Sequence, residues 1–429
     1  MGARGISVNI VYSLALAGIC ISVGYYAATL AAAWKFNRRA GAPPRPLPKI
    51  VPRVAILKPL HGVSDSLVDD LLSFMEVDYP RKEYLFGVSS YEDPAAQIPL
   101  AFKPRYRFDQ ISLTVGGDPS AANRKVGKLI KMVPRASRAD VFVLSDADIA
   151  VEPDYLRRVV SDLYADERTG LVTCAYRARP AGRDPGARLE ALYINTDFMP
   201  MAILADSFEP LHYAFGATIA IKNTVLGEIG GFEALKDLLA DDFHLGNRAV
   251  QRGYKIGLSS ALVTIVPGER TFSDFWHHQL RWARTYRTVR PVSLGTILTH
   301  GPFWALIALL AGGFSPTSIA VAAMAVAARL TMGALMITRV AKLPLSIADF
   351  GLLLVKDFSI TGIWFASLLG KTVRWGDRVF KILPEGKLEE ITRREVSIKP
   401  EPAAAQPPVA NMTPARMPDA SPARTERAL

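Results

Sequence analysis

Residues 141–148 read VFVLSDAD, a short apolar run that leads directly into two aspartates separated by one residue. Four consecutive apolar residues are typical of a strand that is buried on both faces. Two similar runs lie upstream, RVAIL at 53–57 and YLFGV at 84–88, with a helical apolar pattern at 67–75 between them. Short buried strands that alternate with helices predict an α/β domain with a mostly parallel sheet.

Asp146 and Asp148 stand at the carboxyl end of the third predicted strand, where ligands collect in sheets of this kind. In an extended chain, side chains two residues apart point the same way, so both carboxylates are expected on one side. Hard divalent cations such as Mg²⁺ and Mn²⁺ prefer oxygen ligands and accept phosphate as a further ligand. The pair is therefore a candidate metal site, with a solvated turn as the alternative.

Two more groups of residues are candidates for chemistry. Asp241 and Asp242 precede a helix expected over 243–252, where acids would offset the helix dipole, or one of them is a general base. The second group is HQLRW at 278–282, which follows two aromatic residues. Its Arg281 is either an anchor at a membrane interface or a ligand for a pyrophosphate.

The composition indicates a membrane protein that carries a large polar domain. Half of the 429 residues are hydrophobic, 21% are charged, and the mean hydropathy is +0.17. The net charge is +11, and two acid-free basic clusters, 35–53 and 281–290, supply most of it. Each cluster borders a long apolar run, which favours a juxtamembrane position over a nucleic-acid interface. Two cysteines exclude a disulfide framework and a cysteine-based zinc site.

Residues 8–34 contain no charge and are long enough to span a bilayer. Basic residues follow this run, so the positive-inside rule places the N-terminus outside and the following domain in the cytoplasm. A cleaved signal peptide is the alternative, but the run is long for one and the basic cluster lies on the wrong side. A composition rich in Ala and Arg points to a bacterial inner membrane.

A second apolar block covers 293–370 and predicts two or three further membrane helices. Its segments are 293–314, 317–338 and 345–370. Charged residues fall inside the last two of them, and such charges are expected to face a protein interior or a cavity. They are Arg329, Asp349, Lys356 and Asp357. The alternative is that the third segment lies in the interface or re-enters the membrane.

The remaining boundaries follow from composition. A basic, proline-rich linker at 35–52 joins the first span to a globular domain at 53–290. A short hairpin and tail are expected at 371–397, with a Gly-Asp turn at 376–377. Proline and alanine dominate 398–429, which predicts disorder.

Jointly, these motifs resemble those of membrane-bound GT-A glycosyltransferases, and more closely those of the ceramide glucosyltransferase family, which has similar bacterial members that act on hopanoid lipids. The stretch LKPLHGVSDSLVDDLLSFMEVDYP at 57–80 is similar to that family's first strand–helix unit. The likeness continues in EDPA (92–95), NRKVGKL (123–129) and ADDF (240–243). It implies a Rossmann-like GT-A catalytic domain, with a mostly parallel α/β sheet, joined to transmembrane helices.

The resemblance also implies roles for single residues. Asp93 would lie near the uridine, Asp146 would act on the metal and diphosphate, and Asp242 would be the base for the acceptor hydroxyl. Arg281 and Trp282 would complete the (Q/R)xxRW box. Lys125 and His278 join these residues in the predicted nucleotide-sugar site.

Two positions depart from the family pattern. His278 stands where the box begins with Gln or Arg, which puts its contact to the diphosphate in doubt, since histidine donates from both nitrogens only when protonated. Asp148 completes a full DxD where eukaryotic relatives keep mainly the first acid. The departure at Asp148 makes binding of Mg²⁺ or Mn²⁺ by Asp146 and Asp148 more plausible.

The sequence therefore predicts an inverting transferase that moves a sugar, glucose first among the candidates, from a UDP-sugar to a hydroxyl of a membrane lipid, with ceramide the first acceptor. The alternative is transfer of N-acetylglucosamine to a hopanoid. A processive polysaccharide synthase is disfavoured by the small apolar block, and a membrane scaffold or transporter by the spaced acids. Residues 188–205 are expected either to hold the lipid at the interface or to form a buried core helix.

Overall fold

The computed structural model describes residues 2–104, 110–136, 138–180, 182, 184–375 and 378–391, with side chains only from Val8 onward at its start. Two predictions, the Gly-Asp turn at 376–377 and the disordered segment at 398–429, lie outside the described residues.

The large polar domain is built on one eight-stranded sheet with the strand order β3-β2-β1-β4-β7-β6-β8-β5. The strands are β1 (Val54–Pro59), β2 (Lys82–Val88), β3 (Ile111–Val115), β4 (Val141–Ser145), β5 (Ile149–Ala150), β6 (Thr169–Ala178), β7 (Thr218–Lys222) and β8 (Lys255–Ile265). The half formed by β1 to β4 is parallel throughout. In the other half β6 and β8 are parallel, whereas β7 runs antiparallel to both β4 and β6.

Helices pack on this sheet, and further helices form the apolar block. They are α1 (Gly2–Gly41), α2 (Leu67–Met75), α3 (Gln97–Phe102), α4 (Arg124–Met132), α5 (Tyr155–Leu163), α6 (Pro185–Tyr193), α7 (Met199–Phe208), α8 (Asn223–Glu228), α9 (Asp241–Gln251), α10 (Phe272–Val289), α11 (Gly301–Ala311), α12 (Pro316–Leu335) and α13 (Ile347–Ser367). α4 packs on β1 to β3, and α5 packs on β6 to β8. One large hydrophobic core joins the sheet to α4 and α5 and also includes residues of α1 and α12.

The register of the central strands determines where the DxD segment lies. β1 and β4 pair with Leu57 opposite Leu144, and each of these strands is buried along its length apart from the half-buried Pro59. β4 pairs with β7 so that Ser145 lies opposite Thr218. Since β7 is antiparallel, the residues that precede it lie beside the residues that follow β4. The segment after Ser145 therefore adjoins the loop at 213–217.

The three predicted strands and the first predicted helix are present as β1, β2, β4 and α2. β6 and β8 were not predicted, because glycines and polar residues interrupt their apolar runs, namely Gly170, Thr173, Gly257, Ser259 and Ser260. α9 starts two residues earlier than expected, so both acids belong to its first turn.

Within the described residues, three helices are long and apolar enough to cross a membrane: Val8–Gly41, Pro316–Val340 and Ile347–Ser367. A bent pair, the 3₁₀ segment Pro291–Thr299 and α11, would make a fourth, with an angle of 58° between its parts. The bend divides the segment expected at 293–314. Pro302 accounts for it, since proline lacks the N–H and collides with the carbonyl four residues before it.

A three-stranded antiparallel sheet follows α13. Its strands are β9 (Thr372–Trp375), β10 (Arg378–Ile382) and β11 (Leu388–Glu390), with β10 in the middle. Its apolar residues form a cluster with Leu239, and Leu238 makes a bridge to Lys387. The small sheet therefore packs against the residues that lead into α9 and its acidic first turn.

Candidate active site

A cavity of about 810 Å³ lies at the carboxyl end of the parallel strands and extends to the apolar block. All but one of the predicted site residues line it. They are Lys125, Asp146, Asp148, Asp242, His278, Arg281 and Trp282. Residues that are far apart in the chain thus meet in one space.

Asp146 and Asp148 lie in a turn between β4 and β5, and not in the extended conformation expected from their spacing. Both nevertheless line the cavity. Burial, and then the neighbouring Asp146, raise the pKa of Asp148 to about 6. Two carboxylates whose charges repel one another favour a nearby cation.

Lys58 hydrogen-bonds to the backbone of this turn. It is a fully buried lysine at the end of β1, and its Nζ donates to the carbonyl of Asp146 at 2.8 Å and to that of Ile149 at 3.4 Å. The Nζ lies 3.8 Å from the ring centroid of Phe74, and burial lowers the pKa of Lys58 to about 7. The sequence signal was one charged residue in an otherwise apolar strand, and sequence reasoning missed it.

Lys125 links the two acidic groups of the site. Its Nζ lies 2.6 Å from Asp146 Oδ1 and 3.5 Å from Asp241 Oδ2. It belongs to the first turn of α4, which Asn123 caps by accepting from the N–H groups of Lys125 and Val126. Burial alone would lower the pKa of Lys125, but Asp146 and Asp241 raise it overall, so this residue stays charged.

Asp242 is the second residue of α9, and its Oδ1 accepts from the backbone N–H of Phe243 at 2.8 Å. Burial, and then the adjacent Asp241, raise the pKa of Asp242 to about 7. The Oδ2 atom lies only 2.9 Å from the position that a Cβ would take on Gly216. A carboxyl group that ionises near neutral pH suits a general base.

Arg281 places a free guanidinium in the cavity. Among the described residues its side chain has no hydrogen-bond or ion-pair partner, although it lies 6.0 Å from the ring centroid of Trp375. Burial lowers the pKa of Arg281, but a guanidinium remains protonated at any physiological pH. An unpaired guanidinium in the cavity that Lys125 also lines can bind a phosphate group bidentately.

His278 is held by Glu190, a buried carboxylate of α6. Its Nδ1 donates to Glu190 Oε1 at 2.9 Å, and the amide of Gln279 donates to the same oxygen at 3.0 Å. Arg270 lies 3.5 Å from Glu190 Oε2. Sequence reasoning missed both Glu190 and Arg270, because neither belongs to a motif.

The protonation states of this group follow from its contacts. Burial would raise the pKa of Glu190, but His278, Arg270 and Gln279 lower it overall, so Glu190 is ionised. Burial lowers the pKa of His278, so its ring is neutral near pH 7. With Nδ1–H committed to Glu190, the other ring nitrogen can donate to a diphosphate only after protonation.

Trp282 belongs to an aromatic group at the centre of the cavity wall. Its ring centroid lies 5.6 Å from that of Phe198 and 6.2 Å from those of Tyr193 and Tyr286. The segment expected at 188–205 contributes to this group. It is buried against the core on one side, while Tyr193, Asp197 and Met201 line the cavity on the other.

Asp93 is the one predicted residue outside the cavity wall. Its carboxylate accepts from the N–H groups of Gly62 and Ala95 at 3.0 Å each and lies 3.3 Å from the ring of His61. His61 and Gly62 themselves line the cavity. Asp93 thus organises a loop at the edge of the site, and a contact with uridine stays a prediction.

The chemistry of the oxygen donors suits a hard cation. Among the described residues no group of three His, Cys, Asp or Glu side chains is placed to hold a metal. Mg²⁺ is commonly bound by one or two carboxylates together with substrate phosphates, and Asp146 with Asp148 fit that arrangement. The ion pair between Lys125 and Asp146 shows that a positive charge is stable beside these carboxylates.

Two relatives, from a nematode and a bacterium, each match about half of this chain. Over 235 residues it is 26% identical to ceramide glucosyltransferase 3 of Caenorhabditis elegans, covering 54% of this chain and 50% of that protein. It is 25% identical to the probable glycosyltransferase YdaM of Bacillus subtilis, covering 55% of this chain and 56% of the relative. The chain therefore spans about half the length of the curated relatives it matches.

Among solved structures, the mannosyltransferase PcManGT of Pyrobaculum calidifontis, in complex with GDP-Man and Mn²⁺, is 20% identical, with a TM-score of 0.49. The match covers 83% of this chain and 99% of that one. The model of glycosyl transferase family 21 matches residues 14–388, which include the whole site and all of the apolar block at 293–370. The chain therefore belongs to glycosyltransferase family 21, and it combines a GT-A-like domain with helices able to span a membrane.

Proposed function

We propose that the protein transfers a hexose, glucose first among the candidates, from a UDP-sugar to a hydroxyl of a membrane lipid, with inversion at the anomeric carbon. One observation carries the proposal. A single cavity contains the acidic and basic residues of the DxD end and also residues of the apolar block, Thr299, Ile360 and Trp364 among them. A soluble nucleotide sugar and an amphiphile can therefore meet in the same space.

The donor is proposed to bind at the polar end. Asp146 and Asp148 would hold Mg²⁺ or Mn²⁺, and the bound cation would neutralise charge on the UDP leaving group. Arg281 supplies a fixed positive charge near the same group, and Lys125 supplies another. Such preorganised charges stabilise a transition state without reorganising during the reaction.

Asp242 is proposed as the base. It accepts the proton of the acceptor hydroxyl while the acceptor oxygen forms a bond to the anomeric carbon. The bond from that carbon to the phosphate oxygen breaks at the same time, and UDP leaves with the electron pair. The raised pKa of Asp242 supports this role, because a base with a pKa near the working pH is the most effective.

Ceramide is the first acceptor to test, because two curated relatives are named ceramide glucosyltransferases. A hopanoid polyol with UDP-N-acetylglucosamine is the alternative pair. We also propose that the catalytic domain faces the cytoplasm, where nucleotide sugars are found, because the basic residues 35–53 directly follow the first apolar helix.

The test is lipid extraction from membranes that contain the full chain and radiolabelled UDP-glucose or UDP-N-acetylglucosamine. Ceramide and a hopanoid polyol are offered in parallel, each with Mg²⁺ or Mn²⁺. Label in ceramide supports the first donor and acceptor, and label only in the hopanoid replaces the acceptor. Absence of label from every lipid, with folded protein in the membrane, contradicts the proposal.

Asp242→Asn is the matched variant, because it keeps the shape of the side chain and removes the base. Loss of general base catalysis lowers the rate by about 10²- to 10⁴-fold. Asp166→Asn serves as the control, since Asp166 is an exposed carboxylate paired with Lys255 and lies outside the cavity. Equal activity of both variants would contradict the role of Asp242.

A further inference from the structure

We propose that Asp197 binds the polar head of the lipid acceptor, and that the acceptor carries a second hydrogen-bond donor beside its reactive hydroxyl. That donor is a further hydroxyl or an amide N–H. The inference rests on the proposed function and assigns a site that the motifs of the donor end do not include.

Asp197 belongs to a network of four charged side chains where the catalytic domain meets the apolar block. Arg329 of α12 donates to Asp357 of α13 at 2.8 and 2.9 Å and to both oxygens of Asp197 at 3.1 Å. Lys356 pairs with the same two acids. Two positive and two negative charges balance, so the network as a whole is neutral.

The four side chains differ in their exposure to solvent. The side chains of Lys356 and Arg329 are 0% and 3% exposed, and that of Asp357 is 9% exposed, whereas Asp197 is 31% exposed. Asp197 also lines the cavity, and the other three do not. The buried members thus hold one carboxylate in position at the wall of the cavity.

Asp197 keeps the capacity to accept another hydrogen bond. Its Oδ2 accepts from Thr196, Arg329 and Lys356, but among the described residues its Oδ1 accepts from Arg329 alone. A carboxylate oxygen has two lone pairs, so Oδ1 can accept a second donor. Because the network already fixes the side chain, binding costs little conformational entropy there.

The backbone at Asp197 supports a binding role. Residues Ile194–Phe198 form a π-helical turn between α6 and α7, and π-helical turns are frequent at functional sites. The surrounding wall includes Ile360, Ile363 and Trp364, which are apolar. A single carboxylate beside an apolar wall matches a lipid whose head donates hydrogen bonds and whose chains are hydrocarbon.

This arrangement distinguishes classes of acceptor. Ceramide offers an amide N–H and a secondary hydroxyl beside its primary hydroxyl, and a hopanoid polyol offers neighbouring hydroxyls. A diacylglycerol has a primary hydroxyl and two chains but no other donor. A site built to accept a hydrogen bond rejects a substrate that lacks the donor, so the diacylglycerol is expected to be a poor acceptor.

The experiment is a double-mutant cycle with the full chain in membranes. One arm compares ceramide with its derivative methylated on the amide nitrogen and the secondary oxygen, or, where the hopanoid is the acceptor, the polyol with a monohydroxyl hopanoid. The other arm compares the natural chain with Asp197→Asn. Asp349→Asn is the control, since Asp349 is paired with Arg188 at 2.6 Å and lies outside the cavity.

A hydrogen bond to a charged group corresponds to about 10- to 100-fold in kcat/KM. We expect that loss for the methylated acceptor with the natural chain and for the normal acceptor with Asp197→Asn, mainly through the acceptor KM. We expect no further loss when the two changes are combined. UDP binding and the Asp349→Asn variant should be unaffected.

Full additivity of the two changes, or equal rates for normal and methylated acceptors, would overturn the inference while transfer itself continues. If Asp197→Asn no longer binds UDP, its fold is damaged, and the comparison of acceptors on the natural chain decides alone. Absence of transfer to every lipid contradicts the proposed function instead, and this inference with it.

Discussion

Asp242 combines a buried carboxylate with an acidic neighbour, and its pKa of about 7 makes the proposed reaction sensitive to pH. The base acts in its ionised form, so kcat/KM should fall about tenfold for each pH unit below 7 and level off above it. An exposed aspartate, with a pKa of about 3.9, would leave the rate flat over this range. The measurement is kcat/KM for lipid transfer from about pH 5 to about pH 8.5.

Asp242→Asn supplies the control for that profile. Its residual activity should lose the inflection near neutral pH altogether. A wild-type profile that stays level well into the acidic range would show that Asp242 does not carry the rate-determining proton transfer.

Glu190 is predicted to position the donor end through His278 and Arg270. Glu190→Gln removes the buried charge that both residues face, and breaking a charge-assisted contact changes binding by about 10-fold or more. UDP affinity should weaken by that factor and the melting temperature should fall, as measured by titration and thermal unfolding. The control is Glu209→Gln, because Glu209 is 61% exposed and 4.0 Å from Arg290.

An unchanged UDP affinity in Glu190→Gln, equal to that of Glu209→Gln, would mean that His278 and Arg270 need no orientation by this carboxylate.

At the level of single residues, the sequence predicted those that belong to motifs. Taken together, and through the family resemblance, the motifs assigned the DxD pair, Asp242 and the box at 278–282 to one site, and all of these residues except Leu280 line the same cavity. Lys58 and Glu190 were missed, because each is a single charged residue whose role depends on a partner 88 positions away in the chain. Such long-range pairs leave no periodic pattern.

The loop at 213–217 approaches the side chain of Asp242 closely at Gly216, which has no Cβ. In Gly216→Ala the new Cβ would lie 2.9 Å from Asp242 Oδ2, so the flexible carboxylate must shift while the backbone stays. Misplacing a reacting group by about 1 Å costs on the order of 10²-fold in rate, and a smaller shift should still lower kcat by about tenfold. UDP binding should be retained.

Gly227→Ala is the matched control for that substitution. Gly227 lies in α8, and a Cβ there would meet nothing within 4 Å. Alanine is the better helix former, so this variant should be active and equally or slightly more stable. If Gly216→Ala is as active as Gly227→Ala, the position of Asp242 does not depend on that close approach.

Elements with strong patterns were predicted well, and those shaped by their neighbours were not. β1, β2 and β4 each contain a short uninterrupted apolar run, which is why they were recognised. The antiparallel direction of β7 comes from strand pairing that no local pattern encodes. The bend before α11 had a visible cause in Pro302, although length and hydropathy alone favoured one continuous helix.

At the scale of the whole molecule, α13 has the length of a membrane span, but both of its ends lie against the catalytic domain. At its start Asp349 pairs with Arg188 of α6 at 2.6 Å. Beyond its end the carbonyl of Leu369 accepts from Arg284 of α10 at 2.8 Å. A helix that crosses a bilayer leaves one end on the far side, so these contacts favour a helix that lies in the interface.

α1, α11 and α12 pack against one another. Near the N-terminal half of α1, Ala15 and Ile19 form an apolar cluster with Ala305, Ala308 and Ala325. We therefore expect three crossings, by α1, the bent pair that ends in α11, and α12. For α13 we expect the alternative left open by the sequence, an interfacial third segment.

Cysteine labelling tests this topology. In a Cys20→Ala background, single cysteines replace Arg45, Thr317, Pro344 or Lys371, which lie at the ends of the helices or in the segments between them. A membrane-impermeant thiol reagent should modify positions 45, 344 and 371 from the cytoplasmic face and position 317 from the opposite face. Cys174 is buried in β6 and should stay silent. If positions 344 and 371 react from opposite faces, α13 crosses the membrane and does not lie in the interface.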